Sequence, residues 1–267
     1  MRMDFKDKVA IITGSNQGIG KELARQLGLA GAKVVINGRN EQKLALVQEE
    51  FQKLGIDSLP LNGDISDYRF CQSLIGKTID HYGQLDILIN NAGMSAKASV
   101  EEGDPDSFKK IIEINLLGST YTTKYAIPHL REREGSVMLI SSLAGIHGLP
   151  YFAAYSTSKK ALTALAESLR VELHPSNIHV GIAYVGFTET DEQKTFYNHK
   201  GELEYLEKRK NMNPTPISVT AEKIISQIKN RKKSSYHSLV GQLNRFLYRL
   251  YPPFVEMFLK RSLGKFK

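Results

Sequence analysis

The stretch Val9-Ala-Ile-Ile-Thr-Gly-Ser-Asn-Gln-Gly-Ile-Gly20 decides the fold of this chain of 267 residues. It begins with a short run of apolar, mostly β-branched residues, which is typical of a strand buried on both faces. The glycines that follow lack a Cβ atom, so a pyrophosphate group is able to approach the backbone closely. Beyond the turn, apolar residues recur at near-helical spacing, at Ile19, Leu23, Leu27 and Ala30. We therefore expect a helix whose N-terminus points its N–H groups and positive dipole end at a dinucleotide.

Strands and helices alternate along the rest of the chain. Short apolar runs recur near residues 34, 58, 85, 137 and 178, with helical patterns between them. Between the third and fourth of these runs the pattern predicts two helices, Pro105–Ile112 and Leu116 to about Leu130. A helix is also expected near Ser218–Lys229 and a strand near Tyr236–Val240. We therefore predict a single-domain α/β protein, with a Rossmann-type doubly wound parallel sheet of about seven strands, helices on both faces and a C-terminal helical extension.

The chain divides into a body and a tail by charge. From Lys229 onward there are ten Lys or Arg and one acid, Glu256, so the net charge of +8 lies in this part and the preceding residues are close to neutral. We assign residues 1–241 to the Rossmann-type domain, in which a polar segment at about 186–216 is expected to form a substrate lid. Residues 242–267 are assigned to a basic amphipathic extension.

The extension carries two apolar stripes. The first is predicted on one helix and contains Leu243, Phe246, Leu247 and Leu250. Pro252 and Pro253 should end that helix, and the second stripe contains Phe254, Val255, Phe258 and Leu259. A basic amphipathic helix is typical of a membrane interface, so peripheral membrane contact through residues 242–267 is one hypothesis. Packing of the apolar faces on the body or on a neighbouring subunit is the other. Nucleic acid is not expected as a partner, because no aromatic platform or reader motif accompanies the charge.

Several features favour a cytoplasmic protein. The single cysteine, Cys71, cannot form an intrachain disulfide, and the charged N-terminal residues lack a signal-peptide apolar core. The longest stretch without Asp, Glu, Lys or Arg is 135–158, but its many polar residues exclude a membrane span. We also expect no bound metal.

The end of the second strand indicates which dinucleotide binds. An acid there would accept hydrogen bonds from the adenosine ribose and favour NAD(H). This chain has Asn37-Gly38-Arg39 instead, and Arg39 is suited to hold a 2′-phosphate through charge-assisted hydrogen bonds. We therefore predict NADP(H) rather than NAD(H), with a solvated surface arginine as the alternative interpretation. The residues expected around the cofactor at the glycine turn are Gly14, Ser15, Asn16, Gln17, Gly18, Ile19 and Gly20.

Four further motifs follow the glycine turn. They are Asn90-Asn-Ala-Gly93, Asn115, Ser142 and Tyr155-x-x-x-Lys159. In this order and spacing, the five elements resemble the short-chain dehydrogenase/reductase family over about residues 5–240. The resemblance implies an NADP(H)-dependent oxidoreductase acting on CH–OH donors, which interconverts a ketone or aldehyde and an alcohol by hydride transfer.

The resemblance also implies a catalytic role for four residues. Tyr155 would be the general acid/base, although a free phenol has a pKa of about 10. Lys159 lies one helical turn away, where its positive charge would favour the phenolate and its ammonium would bind the nicotinamide ribose. Ser142 would hydrogen-bond the substrate carbonyl oxygen. Asn115 would help to hold a water molecule for the proton relay.

Other cofactor contacts are implied by the same resemblance. Asp64 and Ile65 would contact adenine, and Asn90 the adenosine ribose. Backbone at Ala92 and Gly93 would pack against the cofactor. After the sixth strand, Val185 stands where the family usually has proline, which puts the rigidity of the following loop in doubt. The residues expected to meet the nicotinamide carboxamide are Gly186, Thr188 and Thr190.

Apolar and aromatic residues near the expected site indicate a lipophilic substrate, such as a steroid, a fatty-chain or an aromatic carbonyl. Those before Tyr155 are Ile146, Leu149, Pro150, Tyr151 and Phe152; those in the lid are Phe187, Phe196, Tyr197, Tyr205 and Met212. The same residues would equally serve as core. Two other functions stay open: a 3-oxoacyl-thioester reductase, and a non-catalytic NADP-binding regulatory or scaffold protein acting through its basic tail. The resemblance further implies a homodimer or homotetramer formed by the helices at 116–130 and 153–173.

Overall fold

Parallel strands joined by helices form the framework of the protein, in a computed structural model that describes residues 3–189, 194–206 and 214–265. The strands are β1 (Val9–Ile12), β2 (Lys33–Gly38), β3 (Ser58–Asn62), β4 (Ile87–Asn90), β5 (Ser136–Ser142), β6 (His179–Val185), β7 (Thr195–Tyr197), β8 (Leu203–Tyr205) and β9 (Ser234–Tyr236). The helices are α1 (Gly18–Leu29), α2 (Glu41–Lys53), α3 (Tyr68–Tyr82), α4 (Pro105–Ile112), α5 (Gly118–Glu132), α6 (Ala153–Glu172), α7 (Ile217–Lys229), α8 (Leu239–Leu250) and α9 (Pro252–Arg261).

Within the described residues, seven strands form one parallel sheet in the order β3-β2-β1-β4-β5-β6-β9. This confirms the predicted doubly wound α/β fold. Successive residues of β1 belong to cores on opposite faces of the sheet: Ala10 and Ile12 pack in one, Val9 and Ile11 in the other. The strand order reverses between β1 and β4, and ligands of such sheets bind at the carboxyl ends of the strands at this point.

The segment predicted as a lid contains a hairpin. Strands β7 and β8 pair antiparallel, and Tyr197 in β7 forms a bridge with Ala96 in the loop after β4. Asn198 fixes the turn, because its side chain accepts from the backbone N–H groups of Lys200 and Glu202 and donates to Glu204. The hairpin is therefore joined to the loop that follows β4. Met212, predicted to contact substrate, lies outside the described residues.

The C-terminal part begins differently from the prediction. The strand expected near Tyr236–Val240 is wrong beyond Tyr236, because β9 ends there and α8 starts at Leu239. Ser238 ends the extended segment, since its side chain accepts from the Gly241 N–H and caps the helix. Helix α8 therefore runs across position 241, at which we divided body from tail. The proline pair separates α8 from α9 as expected.

The length and composition of the helices bear on the question of a membrane span. Over the residues that the structure describes, none of the helices combines the length and the apolar character needed to cross a bilayer.

Candidate active site

The glycine turn lies at the carboxyl end of β1, in the backbone conformation that its sequence predicts. Gly14 and Gly18 have φ angles of +62° and +56°, a region that side chains disfavour. A Cβ atom on Gly14 would lie 2.7 Å from the Cα of Ala92, and one on Gly20 would collide with the Gly14 carbonyl. Ser15 holds the turn to both neighbouring strands, because its hydroxyl donates to the Ile12 carbonyl and accepts from the Asn37 N–H.

The N-terminus of α1 is suited to bind an anion. Helices α2, α3 and α4 are each capped by a side chain, from Asn40, Asp67 and Asp104 respectively. Among the described residues, α1 receives no such side-chain cap, and its first turn holds no acid. Gln17, at the N-cap position, instead accepts a hydrogen bond from Lys43 at 3.0 Å. The N–H groups at this end of α1 therefore fit a pyrophosphate, and the turn fits a dinucleotide.

Asn91 is a structural residue of this site that the sequence analysis missed. Its side-chain amide donates to the carbonyl oxygens of Thr13 and Gly14, both at 3.0 Å. The N–H groups of Asn91 and Ala92 donate to the Thr13 hydroxyl, both at 3.1 Å. These four bonds join the end of β4 to the glycine turn. The sequence signal that could have identified this residue is the second asparagine of the motif Asn90-Asn-Ala-Gly93.

The Asn90 side chain is bonded to α5. Its side chain is buried, where it donates to Thr123 at 2.9 Å and accepts from Thr122 at 2.6 Å, both on α5. The side chain is thus engaged inside the fold, and the expected contact with the adenosine ribose depends on the Asn90 main chain.

Arg39 lies just past β2 with its side chain about half exposed. Its guanidinium is 3.5 Å from a carboxylate oxygen of Asp64, a long contact for an ion pair. The other Asp64 oxygen accepts from the backbone N–H and hydroxyl of Ser66. Exposed pairs of this kind contribute little stability, so Arg39 can reorient toward a phosphate at small cost. Lys43 on α2, which the sequence analysis did not select, is a second cation beside the glycine turn.

Ile65 packs against the start of α5. It is buried, and a Cβ atom on Gly118 would lie 2.6 Å from its side chain. The adenine contact expected of Ile65 therefore stays a prediction. Asn16 and Ile19 lie at the turn as expected, Asn16 against Gly38 and Ile19 partly buried on the core beneath α1.

Tyr155 and Lys159 lie one turn apart on α6, at the carboxyl end of β5. The Lys159 ammonium donates to the Ile140 carbonyl at 2.8 Å, and its own carbonyl accepts from the Ser141 hydroxyl at 2.9 Å. These bonds hold α6 against β5. Ser142, the last residue of β5, lies close enough to Tyr155 for its hydroxyl to lower the pKa of the phenol. The structure thus brings Ser142, Tyr155 and Lys159 together.

The pKa values of the pair respond mainly to burial. Burial raises the pKa of the Tyr155 phenol, and the Ser142 hydroxyl lowers it by a smaller amount. Burial lowers the pKa of Lys159 to about 7, with a further contribution from the positive charge of Lys194. Burial therefore opposes the positive charge that is expected to favour the phenolate. The Lys159 ammonium lies 5.9 Å from the centre of the Tyr155 ring.

Asn115 lies in an irregular helical turn. The two helices predicted at 105–112 and 116–130 are joined without a break by a π-helical turn, Glu113–Leu117, a distortion often found at functional sites. The Asn115 amide donates to the Met94 carbonyl and the Ser158 hydroxyl, both at 2.9 Å, and its oxygen accepts from the Met94 N–H. The Ser158 hydroxyl in turn donates to the Tyr155 carbonyl at 2.7 Å.

The Asn115 side chain therefore positions the loop after β4 against α6. Its main-chain carbonyl accepts from the Ser119 hydroxyl at 2.9 Å, and a carbonyl oxygen has a second lone pair. The water contact expected of Asn115 remains a prediction for that carbonyl. Gly93 lies close to both side chains, since a Cβ atom there would be 3.2 Å from the side-chain oxygen of Asn115 and 3.2 Å from the Lys159 ammonium.

The loop after β6 is held without the usual proline. Thr215 bridges it, because the Thr215 N–H donates to the Phe187 carbonyl and the Glu189 N–H donates to the Thr215 carbonyl, both at 2.9 Å. The Thr188 hydroxyl also lies 3.1 Å from the Thr220 hydroxyl. Gly186 and Thr188 are thus fixed beside the carboxyl end of β6, and pairing with Thr215 supplies the rigidity that Val185 put in doubt. Thr190 lies outside the described residues.

Comparison with known proteins identifies the class. A family model described as short chain dehydrogenase matches residues 8–201. The chain therefore belongs to the short-chain dehydrogenase/reductase family of oxidoreductases, which bind a nicotinamide dinucleotide.

Individual relatives are similar over most of this chain. An 11-beta-hydroxysteroid dehydrogenase-like 2 protein of Arabidopsis thaliana is 41% identical over 186 residues, which cover 69% of this chain and 60% of the relative. A 3-dehydrosphinganine reductase of Danio rerio is 39% identical over 69% of this chain and 59% of its own length. An uncharacterized oxidoreductase of Thermotoga maritima is 35% identical over 71% of this chain and 75% of its own. The match spans about 60% of the length of the first two.

Solved structures support the fold. A short-chain dehydrogenase/reductase from Burkholderia phymatum in complex with NAD superposes with a TM-score of 0.83 and 18% identity, over 94% of this chain and 96% of its own. A short-chain dehydrogenase from Streptomyces avermitilis superposes with a TM-score of 0.81 and 23% identity, over 98% and 99% of the two chains.

Proposed function

We propose that the protein is an NADP(H)-dependent oxidoreductase that interconverts a ketone or aldehyde and an alcohol. One observation carries the proposal: Ser142, Tyr155 and Lys159 converge at the carboxyl end of β5, at the same sheet edge as the uncapped N-terminus of α1. The first set provides acid/base chemistry, and the second a place for the pyrophosphate of a dinucleotide.

In the direction of reduction, a nicotinamide dinucleotide held by the glycine turn and the start of α1 would be the source of the hydride that the carbonyl carbon needs. The Ser142 hydroxyl donates a hydrogen bond to the substrate oxygen and stabilises the negative charge that develops there. The Tyr155 hydroxyl protonates the same oxygen, and its raised pKa keeps the proton available at neutral pH. The protonated fraction of Lys159 stabilises the resulting phenolate. Asn115 and Ser158 hold the Tyr155 main chain during this transfer.

NADP(H) rather than NAD(H) is favoured by the positive charge near the end of β2. Arg39 is exposed and held by one long ion pair, and Lys43 lies one helical turn further on, beside Gln17. Both cations are within the part of the fold where the 2′-phosphate of an adenosine ribose is recognised. Asp64 next to Arg39 is the group that would instead favour an unphosphorylated ribose.

The substrate proposed is lipophilic. Phe187 and Tyr205 expose large apolar surfaces in the lid region, and two relatives carry names that refer to a steroid and to a sphingoid ketone. Ile146 and Tyr197 are buried, so these two of the selected residues serve the core.

The test is a screen of NADPH oxidation with steroid ketones, sphingoid ketones, aromatic carbonyls and 3-oxoacyl-thioesters. Turnover of free lipophilic ketones is the expected result, and NADPH should be consumed at least tenfold faster than NADH. Turnover confined to thioesters would instead identify a 3-oxoacyl-thioester reductase. Tight NADPH binding without any turnover would identify a regulatory or scaffold protein.

We also propose that the protein is a cytoplasmic homodimer or homotetramer that pairs through α5 and α6. Val171 near the end of α6 is an exposed apolar residue that such pairing would cover. Light scattering of the purified chain at micromolar concentration checks the mass, and a monomer at all concentrations would contradict the proposal.

A further inference from the structure

Helix α8 packs on the body with its polar side. Gly241, Asn244 and Tyr248 face inward: Asn244 pairs with His147 at 2.8 Å, and the Tyr248 hydroxyl accepts from Lys160 at 3.3 Å. The apolar stripe is on another side of the helix. Among its members, Leu243, Phe246 and Leu250 are 59%, 60% and 65% exposed. Leu247, the fourth member, is partly buried. Packing on the body of the same chain, one of the two alternatives left by the sequence, is therefore not observed for most of this stripe within the described residues.

Helix α9 also leaves apolar side chains exposed. Only part of its predicted stripe packs inward, since Val255 is buried and Leu259 is partly buried. Phe254, Met257 and Phe258 are exposed, and Phe258 has 63% of its surface in contact with solvent. Two consecutive helices thus present apolar faces that no other described part of the chain covers. Exposed apolar surface concentrated in this way is typical of an interaction site.

The charges beside these faces are almost all positive. On the α8 wheel, exposed Arg249 lies beside the apolar stripe, whereas Arg245 lies on the opposite side and stacks on Tyr236 at 4.7 Å. On α9, Lys260 and Arg261 occupy the last turn. The one acid, Glu256, is paired with Lys260 at 2.9 Å, so it does not offset the remaining cations. An apolar face bordered by cations matches an acyl-chain region beneath anionic headgroups.

A groove beside α9 is also suited to an apolar chain. It has a volume of about 330 Å³, is open to solvent, and lies between α9 and the loop that precedes α6. Its walls are mainly aliphatic, formed by Leu149, Pro150, Leu259 and Leu263, and the Lys260–Glu256 pair stands at its edge. The groove therefore places an apolar recess and a cation together.

We propose that α8 and α9, together with this groove, form a docking surface for an anionic lipid bilayer. Burial of the exposed phenylalanine and leucine side chains supplies the apolar contribution, and the flanking arginine and lysine side chains supply the electrostatic one. The proposal does not depend on the reaction proposed above.

The docking surface contacts the segment between Ser142 and α6. In that segment, the Nε2 atom of His147 pairs with the Asn244 amide at 2.8 Å, and its Nδ1 atom lies 3.0 Å from the Gly148 carbonyl. Lys160, the neighbour of Lys159, contacts both the Ile146 carbonyl and Tyr248. A bilayer on α8 would therefore be adjacent to the segment between Ser142 and α6.

The test is co-sedimentation of the full chain with vesicles. Phosphatidylcholine vesicles that contain phosphatidylserine should bind the protein, pure phosphatidylcholine vesicles should bind it much less, and added salt should weaken the anionic case. Phe246→Glu should reduce the affinity for anionic vesicles about tenfold or more. Leu29→Glu is the matched control, because Leu29 is 54% exposed at the end of α1, and it should bind like the unaltered chain.

Light scattering identifies the competing occupant, a second copy of the chain. The proposal is overturned when the unaltered chain fails to bind anionic vesicles, or when both glutamate variants lose binding equally. It is also overturned when Phe246→Glu converts a dimer to a monomer and vesicle binding is absent. Circular dichroism and NADPH binding of each variant report that the body is folded, and they do not depend on which carbonyl compound is reduced.

Discussion

On α6, Lys159 is a cation with 5% of its surface exposed, whereas on α8 Phe246 is a large apolar side chain with 60% exposed. Both depart from the usual distribution, in opposite directions. The buried cation is compensated by a hydrogen bond to the Ile140 carbonyl and retains a lowered pKa. Within the described residues, the Phe246 ring stays mostly exposed to solvent. The buried lysine is stabilised by a contact inside the fold, whereas burial of the exposed ring requires a partner outside it.

The comparison teaches where each kind of function is found. At the candidate active site, polar groups are held inside by hydrogen bonds that fix their positions, as for Asn115 between Met94 and Ser158. At the tail, Val255 packs on the body, but most of the large apolar side chains stay exposed. Substitutions should therefore have large effects on chemistry or stability at the first region and almost none at the second.

The largest effect is expected for Tyr155→Phe. Loss of the hydroxyl removes the proton donor, so turnover should fall about 1,000-fold. NADPH affinity, measured by fluorescence titration, should change little. Tyr82→Phe is the matched control, since Tyr82 is at the end of α3, away from the site, where its hydroxyl hydrogen-bonds Asp57. Turnover retained by Tyr155→Phe would refute the assigned role.

Lys159→Met should change how stability depends on pH. The folded pKa of Lys159 is about 7 and its ordinary value is 10.5, so between these values the unfolded chain binds more protons than the folded one. Stability of the unaltered protein should therefore rise between pH 7 and pH 10 relative to the variant, and the burial penalty is fully present below pH 7. The expected gain is roughly a few kcal/mol.

Urea unfolding of both proteins at pH 7 and pH 9.5 measures this difference. Groups common to the two chains, such as buried His179 and His237 with pKa values lowered to about 4, cancel in the comparison. Equal changes with pH in the two proteins would show that Lys159 is not a buried cation with a lowered pKa.

Arg39→Asp should raise the KM for NADPH about 100-fold and leave the KM for NADH nearly unchanged, because only NADPH carries the 2′-phosphate. Arg69→Asp, an exposed arginine on α3, controls for the change of charge. Steady-state kinetics with each dinucleotide measures the effect. Equal changes in both KM values would remove Arg39 from the phosphate site.

Asn91→Ala should weaken dinucleotide binding about tenfold and lower the free energy of unfolding by about 1–3 kcal/mol, since two bonds to the glycine turn are lost. The rate at saturating cofactor and substrate should change less than the cofactor affinity. Asn230→Ala is the control, because the Asn230 side chain hydrogen-bonds only Ser226 among the described residues. Unchanged affinity in Asn91→Ala would show that the turn holds its shape without this residue.

The smallest effect is expected for Phe246→Gln. Because the Phe246 ring is mostly exposed to solvent, the free energy of unfolding, measured by thermal denaturation, should change by no more than about 0.5 kcal/mol. This outcome would sharpen the contrast with Lys159. A loss of several kcal/mol would mean that the apolar face of α8 is covered in solution.

Much of the fold and site was predictable because the signals are local. The glycine turn, the strand–helix alternation and the spacing of Tyr155 and Lys159 each depend on residues close together in sequence. The strand predicted at Tyr236–Val240 was wrong beyond Tyr236 because Ser238 caps and starts a helix there. The roles of Asn91 and Lys43 were missed because their partners, Thr13 and Gln17, are far away in sequence.

By itself, the sequence determined the alternation of strands and helices in the main sheet, the glycine-rich start of α1 and the presence of two apolar stripes in a basic tail. These follow from periodicity, backbone freedom and charge. Only the tertiary structure decided which way each stripe faces. On α8, Asn244 contacts His147 and Tyr248 contacts Lys160, and these two contacts turn that side of the helix toward the body. The tertiary structure also decided that Lys159 is buried, since desolvation depends on the packing of α6 against β5 and not on neighbours along the chain.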